Sequence, residues 1–133
     1  MFESAELGHA IGREAFRKEV PKLRAALLDV QYDVLEKKEF PVIILVSGVD
    51  GSGKGETINL LYSWMDPRHI STLAFSEPSD EERSRPYMWR YWRALPPQGK
   101  IGVFAGSWYS QPIAYRIANK MERDEMDERL DEI

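Results

Sequence analysis

Residues 42–65, VIILVSGVDGSGKGETINLLYSWM, constrain this chain more than any other stretch. An apolar run enters a glycine-rich loop, and an amphipathic run leaves it. Pro41–Ser47 reads as a strand, and its lack of alternation suits a parallel strand covered on both faces. Gly48-Val-Asp-Gly-Ser-Gly53-Lys54 fits the G-x-x-x-x-G-K spacing, between the strand and helix that this spacing requires. Gly48, Gly51, Ser52 and Gly53 let backbone N–H groups point inward at phosphate oxygens. The helix that follows adds a favourable partial charge at its start, and Lys54 adds a mobile cation. Gly55 stands where most such loops carry a Ser or Thr whose hydroxyl binds Mg²⁺. Asp50 offers a hard oxygen ligand instead. It is equally a residue type that accepts backbone N–H bonds and shapes a turn.

The rest of the chain alternates helix and strand. Phe16, Val20, Leu23, Leu27, Val30 and Val34 recur at helical spacing. Pro21 suits a helix start better than an interior, which predicts a short helix to about Val20 and a long one from Pro21 to about Lys38. The helix after the loop runs to about Met65, where Asp66-Pro67 ends it. Thr72–Phe75 is a short second strand. Ser79-Asp-Glu-Glu82 reads as a capping box opening a helix whose apolar face is Met88, Trp92 and Leu95, kinked or reset at Pro86. After the Pro96–Gly99 turn, Ile101–Ala105 is a third strand, and the chain is helical from Ile113 onward. Such alternation implies one α/β domain over residues 1–133 with a parallel sheet and helices on both faces. Residues 1–12 show no period and read as loosely ordered.

Composition narrows the class. Hydrophobic residues make up 43% of the 133, enough for a core, and there is no cysteine for disulfides or thiolate metal sites. No apolar run reaches the ~18 residues of a membrane span. The N-terminal residues lack a basic leader and an apolar stretch, so a cytoplasmic location is expected. A net charge of −4 argues against broad nucleic-acid binding.

GVDGSGKGET, MDPRHI at 65–70, RYWRALPPQGKIGVF at 90–104 and SWY at 107–109 together resemble the polyphosphate kinase type 2 family, in which a loop aspartate and a Gly after the lysine are expected. The likeness covers most of residues 15–117 and is close to the N-terminal half of two-domain polyphosphate:AMP phosphotransferases. It implies a P-loop kinase-like three-layer fold with a five-stranded parallel sheet and a mobile lid. It also implies phosphoryl transfer between polyphosphate and AMP or ADP, with Mg²⁺. With sheet order 2-3-1-4-5, two strands and the lid would lie beyond Ile133. The first strand would then have an open apolar edge, which predicts a homo-oligomer or association with a second domain of the family.

One expected motif is damaged. The family pattern after the third strand is Asp-Arg-Ser-Trp-Tyr-Asn-Arg; this chain has Ala105-Gly106-Ser107-Trp108-Tyr109-Ser110-Gln111. Ala105 cannot hold a metal, and Gly106 and Gln111 cannot neutralise transition-state charge. Losing one such group costs on the order of 10²–10³ in rate. A weakened or non-catalytic half is therefore expected, with Asp50 and Lys54 as its remaining catalytic candidates and Asp50 as metal ligand. A non-catalytic phosphate-binding or assembly domain and an ATP-dependent small-molecule kinase are the competing readings.

Arg83, Arg90 and Arg93 lie in an arginine- and aromatic-rich segment. On one straight helix Arg83 and Arg90 would be about 20° apart at ~100° per residue, so they are candidate anion contacts. A solvated face paired with Asp80, Glu81 and Glu82 is the competing reading. Trp89 and Trp92 are expected in the core, and His9 and His69 in structural or surface roles.

Overall fold

The computed structural model describes residues 10–133. The expectations for residues 1–9, including His9, lie outside that range. The order of elements is α1 (Arg13–Lys37), β1 (Val42–Val46), α2 (Lys54–Trp64), a 3₁₀ turn (Pro67–His69), β2 (Ile70–Ala74), α3 (Asp80–Arg83), α4 (Trp89–Trp92), β3 (Ile101–Ala105), α5 (Ser110–Ile117) and α6 (Arg123–Asp131). The three strands are parallel in the order β1-β3-β2. Val42 and Ile70 both pair with Ile101, and Val46 and Ala74 both pair with Ala105. The strands thus end level, and their carboxyl ends form one rim.

The alternation of side chains across β1 and β3 divides the core in two. On one face, Val42, Ile44, Val46, Ile101 and Val103 pack with Ile58, Leu61 and Tyr62 of α2 and Leu27 of α1. On the other face, Phe104 meets Phe75 edge-on at 5.1 Å between ring centroids, and Phe75 meets Tyr91 of α4 at 4.7 Å. Trp108 closes this cluster against Tyr91 and Phe104. Helices therefore cover both faces, as the alternation predicts.

Several expectations need correction. The first two helices are one. Pro21 removes the bond to the Arg17 carbonyl, but both residues lie in an exposed stretch where water can replace it. The predicted stripe is only partly covered: Leu27 reaches the core, whereas Val30 stays 58% exposed. Gln31, fully buried on the same helix, ties α1 to the sheet. Its Nε2 donates to the Asp66 carbonyl at 2.8 Å, and its Oε1 accepts from the Asp66 N–H at 2.7 Å. β2 starts two residues earlier than predicted, because Ile70 is buried and in register with Ile101.

The predicted helix from Ser79 is two single turns separated by residues 84–88. The capping box forms at the first, with both reciprocal bonds present. Pro86 then disfavours helical backbone at Arg85, so the faces of the two turns are not continuous. As a result Met88 and Tyr91 are buried, whereas Trp92 is 58% exposed and Leu95 is also exposed. Trp89 is half-buried between two arginines, with the Arg93 guanidinium 4.6 Å and that of Arg85 5.5 Å from its ring centroid. His69 is partnered, its Nδ1 lying 2.7 Å from Lys100 Nζ. The last helical stretch begins at Ser110 rather than Ile113 and breaks near Asn119, which has φ +53°. The charged run α6 packs on α5, and its Arg129 guanidinium sits 4.9 Å from the Tyr87 ring centroid.

Candidate phosphate site

The loop between β1 and α2 stands on the rim formed by the strand ends. Gly48, Gly51 and Gly53 all take positive φ, which an L side chain resists, so the glycine spacing is what lets the chain wrap here. A Cβ on Gly48 would come within 2.6 Å of Ser52 Oγ. Ser52 N–H donates to the Val49 carbonyl at 3.2 Å, closing the turn. Thr57 spends both its N–H and its hydroxyl on the Gly53 carbonyl, each at 3.0 Å. Lys54, first residue of α2, turns back over the loop: its Nζ donates to the Gly48 carbonyl at 2.7 Å and to Val49 at 2.8 Å. The cation is thereby held above the loop at the amino end of an 11-residue helix.

Asp50 projects into solvent, with its Oδ1 3.9 Å from Lys54 Nζ. A Cβ at Gly55 would meet nothing within 4 Å, so the backbone there has room for one. Among the described residues, no three His, Cys, Asp or Glu side chains gather as a metal-binding group.

Two hollows open beside the loop. One of about 500 Å³ runs from Lys54 along Phe75, Ala105, Ile113 and Ile117, and is mainly apolar. The other, of about 240 Å³, shares Phe75, Ser110 and Ala114 with it and is lined by Arg90, Glu77 and Gln111. Arg90 is 10% exposed at its side chain. Its Nη2 donates to the Ser76 carbonyl at 3.0 Å, its Nε faces Glu82 Oε1 at 3.5 Å, and its guanidinium lies 5.4 Å from the Phe75 ring centroid. Glu82 is held below the usual carboxylate range by the Ser79 backbone N–H, with Arg90 assisting. Of the three candidate arginines, Arg90 therefore lines the cleft. Arg93 lines a depression along β2 that Arg90 and Phe75 also line, and Arg83 is exposed 3.6 Å from Asp80. The straight-helix relation of Arg83 to Arg90 does not hold, because the two sit on different turns.

Beyond β3 the backbone turns sharply at Gly106. Gly106 has φ +84°, its N–H donates to the Val46 carbonyl at 3.0 Å, and a Cβ there would meet the Phe75 carbonyl at 3.3 Å. Gln111 Nε2 donates to the Tyr115 hydroxyl at 3.1 Å, so it is engaged within α5. Sequence reasoning missed Phe75, Ser76 and Ser110 as lining residues. Their signal was position: each follows the end of a parallel strand.

The model of the polyphosphate kinase 2 family matches residues 10–133. The chain belongs to the polyphosphate kinase 2 family. It is 49% identical over 131 residues to a polyphosphate:AMP phosphotransferase of Pseudomonas aeruginosa, covering 98% of this chain and 26% of the relative. A polyphosphate:AMP phosphotransferase of Pseudomonas syringae is 45% identical over 130 residues, with the same coverage of 98% and 26%. The chain thus spans about a quarter of the length of these relatives. A solved structure from Pseudomonas aeruginosa, described as a polyphosphate kinase 2, superposes with a TM-score of 0.92 at 49% identity, over 98% of this chain and 29% of that one. A polyphosphate kinase 2 structure from Arthrobacter aurescens has a TM-score of 0.82 at 24% identity, over 92% of this chain and 45% of that one, and shares the fold. The family's α/β fold and its parallel sheet are those described above. No helix among the described residues is long and apolar enough to cross a membrane.

Proposed function

We propose that this chain is the phosphate-gripping part of a polyphosphate-dependent nucleotide phosphotransferase, and that alone it transfers phosphate weakly or not at all. One observation carries the reading. The G-x-x-x-x-G-K loop stands on the rim of a parallel sheet with Lys54 Nζ turned back to 2.7 Å from the Gly48 carbonyl, above the amino end of α2. Lys54 and the N–H groups of Gly51 to Gly55 there meet the oxygens of a phosphate-chain end. The names of the relatives support polyphosphate with AMP or ADP as partner. The Arg90 cleft beside the loop is the place for the nucleotide.

Phosphoryl transfer is positioning and charge stabilisation. Lys54 serves both, whereas Ala105, Gly106 and Gln111 supply no charge where the family motif has three charged groups. Mg²⁺, when bound, would neutralise phosphate charge. The residues present do not compose a site for it: Asp50 points to solvent, Gly55 has no hydroxyl, and Ala105 has no carboxylate. Asp50 can offer one oxygen to a metal that arrives with the phosphate.

The outer edge of β1 and the exposed Leu23 and Val30 of α1 favour association with a second domain of the family or a second copy, in the cytoplasm. Light scattering at micromolar concentration reads that assembly, and a monomer contradicts it.

Titration of tripolyphosphate against wild type and Lys54→Ala tests the central claim. A hydrogen bond to a charged group is worth about 1.5–3 kcal/mol, so affinity should fall by roughly tenfold or more. Equal affinities remove the reading. A parallel transfer assay with polyphosphate and AMP should show little turnover by the 133-residue chain. Turnover at several per second would refute the weakened-half reading while leaving the loop's role intact.

A further inference from the structure

The loop and the wall facing it differ in chemistry. The loop offers a cation and backbone N–H groups, all suited to an anion. The wall offers Ala105, Ile113, Ala114 and Ile117, with Phe75 at the back. A magnesium ion bound with phosphate keeps several of its waters, and those waters need oxygen acceptors nearby. An active phosphotransferase provides carboxylates for that purpose. Here the β3 end presents a methyl group, and no carboxylate lines the hollow. Its side-chain acceptors are the neutral hydroxyls of Ser47 and Ser110. Asp50, the loop's own carboxylate, faces solvent and lies 3.9 Å from the Lys54 ammonium, which competes for it with any arriving cation.

From this mismatch we propose that the phosphate loop of this unit binds the end of an oligophosphate as the metal-free anion, with Lys54 serving as its counter-charge. The proposal rests on the phosphate-binding reading above and deepens it. Metal-free tripolyphosphate carries more negative charge than its magnesium complex. It also brings no metal-bound waters in need of the carboxylate acceptors that this hollow lacks. Excess Mg²⁺ then acts in solution, by complexing the ligand, and lowers the free anion available to the loop.

Calorimetric titration of the full chain with tripolyphosphate, once in EDTA and once in excess Mg²⁺, tests this. Binding in EDTA should be several-fold tighter than in excess Mg²⁺. Equal or tighter binding in Mg²⁺ would overturn the proposal and leave the phosphate-loop reading standing. No binding in either buffer, with a cooperative melt showing a folded chain, would overturn both. Ala105→Asp supplies the second arm. A carboxylate restored at the strand end should turn Mg²⁺ into a promoter of binding. If that folded variant remains no tighter in Mg²⁺ than in EDTA, the shortage of ligands is not the cause and the proposal fails.

Discussion

Replacing Gln31 by Met should destabilise the protein far more than a helix-surface change would. Gln31 is 1% exposed, and its amide makes two bonds to one peptide-flanked residue, at 2.8 Å to the Asp66 carbonyl and 2.7 Å from the Asp66 N–H. It acts as a plug, joining α1 to the turn that feeds β2. Met keeps the length and volume and is a fair helix former, so cavity and propensity effects stay small. What is lost is hydrogen bonding. Two net contributions of about 1 kcal/mol each disappear, and the Asp66 N–H is left without a partner at about 1–3 kcal/mol if water stays out, while the Asp66 carbonyl keeps the His69 N–H at 3.2 Å. Asp66 is half-buried, so water offsets part of that loss. The expected total is about 2–4 kcal/mol, against a whole stability of roughly 5–15 kcal/mol for such domains. Urea unfolding followed by tryptophan fluorescence gives the answer, with the midpoint falling and the slope unchanged. A loss under about 0.5 kcal/mol, within the usual range for surface substitutions, would refute the claim that this amide fastens the helix.

Two further outcomes follow from the geometry. Asp66 is held well below its ordinary value of 3.8, first by the Arg68 guanidinium at 2.6 Å and then by the Arg68 backbone N–H. A depressed folded value means stability that is present above pH about 4 and lost as pH falls below it, so Asp66→Asn should flatten the acid limb of a plot of urea midpoint against pH. An unchanged limb would assign the acid loss elsewhere. Gly106→Ala puts a Cβ on a left-handed backbone, 3.3 Å from the Phe75 carbonyl, and should cost about 1–2 kcal/mol, read as a lower melting temperature.

The sheet and the loop were legible because their signals are local. An unbroken apolar strand, a fixed glycine spacing and a helix start all lie within residues 42–65, and β1, the loop and α2 fall there. The capping box was legible for the same reason, since its two bonds span three residues. What sequence reasoning misread depends on distant neighbours. Pro21 reads locally as a boundary, and only the exposure of its surroundings explains why the helix continues through it. Trp92 was assigned to the core by periodicity, but the break at Pro86 resets which side of the next turn faces inward. Arg83, Arg90 and Arg93 read alike in the sequence, yet burial against Phe75 and Tyr91 separates Arg90 from the exposed Arg83. Gln31 gave no signal at all, because its partner lies 35 residues away.

The conformation of Gly106 also bears on what that position can accept. Its peptide is anchored to Val46 across the sheet, and its φ of +84° is one that arginine tolerates poorly. An arginine placed there alone would be strained, and Ala105 beside it would still lack a carboxylate. The conformation of one peptide thus opposes any side chain at this position before the charge of that side chain matters, like a lock cut for the smallest key.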